Sequence, residues 1–163
     1  MISLQINNTK NFMNALLISN LFDSFLTEQA TVVTFNTFHI DGRTVKEFFD
    51  SEETEDLMPF SSWNDIRPIC FQLIKGKKTP VALNIVLHAS PSLISELANH
   101  EDCTISENLI SSLALNIRYD KGKVSCVTAS ALTTFIPDKS IDKIWDNYVR
   151  QFFISSELDY DED

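Results

Sequence analysis

The chain has 163 residues, 44% of them hydrophobic and 22% charged, with only 3 Gly and 5 Pro. That is enough for one domain with a sizeable core and leaves little room for linkers or disorder. A net charge of −10 disfavours neutralising a nucleic-acid duplex, three widely spaced cysteines exclude a disulfide framework or zinc knuckle, and no stretch approaches the ~18 apolar residues of a membrane span.

In chain order, Ile2, Leu4 and Ile6 alternate with Ser3 and Gln5, the period of a half-buried strand. Thr9 is placed to cap a helix carrying Phe12, Met13, Leu16 and Leu17 on one stripe. Leu21, Phe22, Phe25 and Leu26 read as a further helical turn before a strand that begins near Thr31. The stretch Thr34 to Phe49 then reads as a hairpin: one strand to Ile40, a two-residue turn at Asp41-Gly42, and a return over Thr44 to Phe48.

Asp50 to Pro59 is acidic and turn-rich and reads as an exposed loop. Ser61 or Ser62 offers a cap for a helix through Trp63, Ile66, Cys70 and Ile74, within which Pro68 removes one hydrogen bond. Leu83, Ile85 and Leu87 alternate as Ile2, Leu4 and Ile6 do, and Ser90-Pro91 opens a helix through Leu93, Ile94 and Leu97. Ser112 to Tyr119 and Lys123 to Phe135 form a second hairpin about Asp120-Lys121-Gly122, and a last helix from Ser140 buries Ile144, Trp145, Val149 and Phe153. The pattern β-α-β-β-α is read twice, with halves 1–78 and 79–155 in one domain, 1–155, and an acidic tail, 156–163. The expected fold is α+β, a curved and mainly antiparallel sheet with helices on one face.

The candidate chemistry is sparse. Lys75-Gly76-Lys77-Lys78-Thr79 lacks the upstream glycine of a phosphate loop, since position 71 is Phe, and reads as a solvated helix end. His39, His88 and His100 are scattered with no ligand spacing, so no metal is expected. Cys126 has no histidine nearby to activate it and reads as a packed side chain, and Thr128 to Thr134 as the polar face of an exposed strand. Phe48-Phe49 and Phe152-Phe153 are adjacent pairs that cannot both point inward on a regular strand, so one ring of each pair could face a partner, and Phe49 and Phe153 are the candidates for that surface contact. Arg43, Lys77, Lys78 and Arg118 could form a small basic patch, with His39 alongside.

The segments TFNTFHIDGR, RPICFQLIKGKKTP, LNIRYDKGKVSC and DKSIDKIWDNYVRQFF resemble an uncharacterised family of small cytosolic proteins of anaerobic Gram-positive bacteria. That resemblance implies a single domain in the cytoplasm, with no assigned activity, cofactor or catalytic residue.

Three function classes follow. The first is a non-catalytic binding or adaptor protein acting through aromatic and acidic surface on a protein partner or a second copy of itself. The second is a nucleic-acid-associated protein, either like a sliding clamp or an acidic DNA mimic, and is less favoured by the charge. The third is an enzyme whose pocket gathers His39, Asp41, Arg43 and Arg118 from distant places; no recognised catalytic grouping supports it.

Overall fold

The computed structural model describes residues 1–74, 76 and 78–163. The elements are β1 (Ser3–Ile6), α1 (Thr9–Leu17), β2 (Leu26–Val33), β3 (Thr37–Asp41), β4 (Ser61–Ser62), α2 (Trp63–Ile74), β5 (Ala82–His88), α3 (Pro91–Ala98), β6 (Ile110–Asp120), β7 (Lys123–Leu132), α4 (Ser140–Ser155) and β8 (Tyr160–Glu162). The strands form one antiparallel eight-stranded sheet in the order β3-β2-β5-β6-β7-β1-β8, and β4 pairs with β2 beside the end of β3. The sheet is curved and open, and the fold is α+β.

Register explains why the helices lie where they do. Ile40, Ala30, Ile85, Ile117, Cys126 and Leu4 follow one another across β3, β2, β5, β6, β7 and β1, an unbroken apolar row. One position along, His39, Thr31, Asn84, Arg118, Ser125, Gln5 and Asp161 make an equally continuous polar row. Because side chains alternate between faces, the first row lies under the helices and the second faces solvent. The apolar row belongs to a single buried cluster that runs from Ile2 to Leu158 and takes in Phe12, Trp63, Leu97, Trp145 and Phe153 from the four helices. Both indoles satisfy their N–H inside that core: Trp63 Nε1 donates to the Leu16 carbonyl at 2.8 Å and Trp145 Nε1 to the Ala114 carbonyl at 2.9 Å.

The second half follows the order β-α-β-β-α, but in the first half β4 intervenes between β3 and α2, and the strands expected to match have different neighbours. β1 lies between β7 and β8, whereas β5 lies between β2 and β6.

Several local expectations are corrected. The first hairpin joins β2 to β3 through Thr34, Phe35 and Asn36, not through Asp41-Gly42, and β2 begins at Leu26. The expected returning strand at Thr44 to Phe48 is replaced by a single 3-10 turn, Lys46–Phe48. Asn8, not Thr9, caps α1, its side chain accepting from the Asn11 N–H. Ser61 and Ser62 are spent on pairing with Leu26 and Thr27, so α2 starts straight from the strand with Pro68 in its interior. Thr128 is fully buried, not part of an exposed polar face, and its hydroxyl is satisfied there: it donates to the Asp146 carboxylate on α4 at 2.5 Å and accepts from the Ile2 N–H. The acidic tail is not free chain: β8 adds to β1, and Arg150 grips Glu162 through two bonds of 2.8 and 2.6 Å.

The second hairpin forms where expected, although Asp120 belongs to β6 and β7 stops at Leu132, short of Phe135. Asp120 pairs with Lys123, and the two turn residues Lys121 and Gly122 have φ of 50° and 82°, the left-handed values that a type I′ turn demands.

A candidate contact surface around an acidic loop

An exposed apolar surface is created by the way β2 begins. A bulge between Thr27 and Gln29 inserts Glu28, and the chain leaving β3 passes so close that a Cβ on Gly42 would sit 1.7 Å from the Thr27 carbonyl oxygen. Gly42 therefore donates its N–H to the Glu28 carbonyl and accepts from Ser61 N–H, both at 2.8 Å. Arg43 then faces Phe60 in a lone antiparallel bridge, while Thr44 donates its N–H to the Pro59 carbonyl and its hydroxyl to the Met58 carbonyl. These bonds close the neck of a loop over residues 45–57.

Inside the loop the backbone is held by short-range bonds, including Asp50 N–H to the Glu53 carboxylate at 2.9 Å and Thr54 hydroxyl to the Ser51 carbonyl at 2.8 Å. Phe49 and Leu57 are half-buried, and the other apolar side chains point outward. Phe48 is 84% exposed, its ring set edge-on to Phe49 at 5.4 Å, and Val45 and Met58 are exposed as well. The same run carries Glu47, Asp50, Glu52, Glu53, Glu55 and Asp56, with Lys46 its one base.

Beside the neck lies a cleft of about 280 Å³, lined by Leu26, Phe60, His88, Ile94, Glu107 and Ser112 among others. His88 ends β5 with its side chain 13% exposed and meets Glu28 through Nε2 at 2.5 Å, and Phe60 lies edge-on to its ring at 5.0 Å. The bulge is what brings Glu28 within reach. Glu107, on the far wall, accepts a bond from the Ser95 hydroxyl with one oxygen.

A larger hollow of about 700 Å³ lies between the end of α3 and α4. At its edge Lys139 pairs with Asp142 at 3.2 Å, and Asp138 accepts from the Thr104 hydroxyl and the Ser140 N–H, which hold its carboxyl below the ordinary range. Tyr148 is stacked on Trp145 at 5.6 Å, and burial, with Glu96 nearby, pushes its phenol up.

The residues singled out from the sequence are scattered. Phe153 is fully buried against Phe12 and Tyr160, so it contributes core and not surface. Phe49 is half-buried and its neighbour Phe48 takes the exposed place, because the 3-10 turn, not a strand, sets their directions. His39 is exposed and shares a 2.8 Å bond with Thr31 across the strand pair. Arg118 is on the same polar row but three strand spacings away, roughly 14 Å, and pairs with Asp120. Asp41 caps the Arg43 N–H, and Arg43 sits at the loop neck, so His39, Asp41, Arg43 and Arg118 do not converge. Lys78 is exposed, and Lys77 lies outside the described residues. Burial pushes the Cys70 thiol up to about 12 and raises that of Cys126 further, which makes both poor nucleophiles. His88 and Glu28 are what the sequence reading missed: they are sixty positions apart, and a bulge leaves no mark in a pattern of alternation.

Among the described residues no three His, Cys, Asp or Glu side chains are grouped to hold a metal ion, and no helix is long and apolar enough to cross a membrane.

The fold therefore defines an open antiparallel sheet with four helices on one face and a pinned acidic loop at one end. The chain belongs to a family of unknown function (DUF5721), whose model matches residues 15–161, a span that includes the loop, the bulge and the cleft. No curated protein and no solved structure matches it.

Proposed function

We propose that this is a non-catalytic binding or adaptor protein that recognises a partner protein through the loop over residues 45–57. The observation that carries this reading is Phe48: a large ring 84% exposed, on a loop whose neck is tied by main-chain bonds. Isolated apolar side chains at a surface are ordinary, but Val45, Phe48 and Met58 are all exposed on or beside one tied loop whose sequence carries six acids, the composition of a contact with an apolar centre and a charged edge. Pre-ordering the loop lowers the entropy lost on association.

The test is affinity capture from the native host with the intact chain and with Phe48→Ala, quantified by mass spectrometry. A protein enriched by the intact chain and lost with Phe48→Ala, at unchanged thermal stability, is the expected outcome. Identical capture by both chains overturns the reading.

A further inference from the structure

The cleft beside the loop names the partner's chemistry, an inference that rests on the binding role above. Its wall is apolar, from Leu26, Phe60 and Ile94, while its rim carries Glu107, Asn108 and Ser112. Glu107 has one carboxylate oxygen bound to Ser95 and the other without a protein partner. On the remaining side Glu28 lies against His88 and neutralises any charge the imidazole carries. The acidic loop springs from this wall, since its neck is tied at Pro59 and Phe60, and residues 45–57 carry six acids against the single base Lys46, with Arg43 at the neck.

An apolar wall leading to a carboxylate suits a side chain with a hydrocarbon stem and a cationic head. Such a side chain lies its stem along Phe60 and brings its charge to Glu107, with the aromatic face adding cation–π attraction. We propose that the cleft receives an arginine or lysine side chain from a basic segment of the partner protein, while Glu47, Asp50, Glu52, Glu53, Glu55 and Asp56 engage the neighbouring cations. The charge complementarity is that of a chain with net charge −10 whose cleft holds the Glu107 carboxylate and whose acidic loop is tied to the cleft wall at Pro59 and Phe60.

Fluorescence anisotropy with a fluorescein-labelled hexa-arginine peptide tests this, with hexa-citrulline as a neutral probe of the same shape. The intact chain should bind hexa-arginine, weaken with added salt and ignore hexa-citrulline. Glu107→Gln, an exposed and conservative change, and Phe60→Ala should each cost about tenfold in affinity, the size of one charge-assisted contact. The triple variant Glu52→Gln, Glu53→Gln, Glu55→Gln should flatten the salt dependence. Equal binding of the two peptides overturns the proposal, as does an affinity unmoved by Glu107→Gln, and a loss seen only with the triple variant shows that the acids act without the cleft. The binding role fails separately, by capture that ignores Phe48→Ala; loss of that capture alongside a hexa-arginine null leaves the role standing and removes only the cationic partner.

Discussion

Gly42 and Gly122 follow similar dipeptide cues, each within three residues after an acidic side chain at the end of a strand, yet they serve different physical needs. Gly122 sits in open space with φ of +82°, so what its turn requires is backbone freedom. Gly42 has no positive φ, and what its position requires is absence of volume, since its missing Cβ makes room for the Thr27 carbonyl. One glycine turns the chain, and the other lets two backbones touch. The consequence is functional: the β6–β7 hairpin returns immediately, whereas the chain leaving β3 is pressed against the bulge and released into the acidic loop, with Glu28 left facing His88.

The sharpest way to break this comparison is Gly42→Ala. With a carbonyl oxygen at 1.7 Å from the new methyl, the backbone must part, and a loss of about 3 kcal/mol or more is expected in denaturant unfolding. Gly122→Ala meets no atom within 4 Å and should cost only the strain of a left-handed alanine, about 1 kcal/mol. If the two losses were equal, the distinction between shape and conformation would fall.

At the far edge of the sheet, β8 is held in part by Arg150, whose guanidinium holds the Glu162 carboxyl below its ordinary range while its own proton is held more tightly. A lowered carboxyl contributes in full above its unfolded value, ~4.3, and loses that contribution as pH falls through the lowered one. Amide protection of Tyr160 to Glu162 should therefore decline on acidification in that range, and Arg150→Ala should remove the dependence. The smallest effect belongs to Phe48→Ala: an exposed ring should change stability by less than about 0.5 kcal/mol by thermal unfolding, even where it changes partner capture.

Local pattern carried much of the architecture. Ser90-Pro91 opened α3, Lys121-Gly122 turned the second hairpin, and Ile2, Leu4, Ile6, Leu83, Ile85 and Leu87 are all buried as their alternation required. The first hairpin was misplaced because Asp-Gly marks a tight turn and a close approach with the same residues. Phe48 and Phe153 show the same limit, since which ring of an adjacent pair is covered depends on an element that only neighbouring chain decides.

What the amino-acid sequence determined by itself was therefore the four helices, most of the core strands, the class of fold and the exposed acidic run, since these follow from the spacing of apolar side chains and from local charge. Only the tertiary structure decided the strand order, the place of the bulge and the meeting of Glu28 with His88. Those depend on contacts between residues far apart in the chain, whose energies no local window contains.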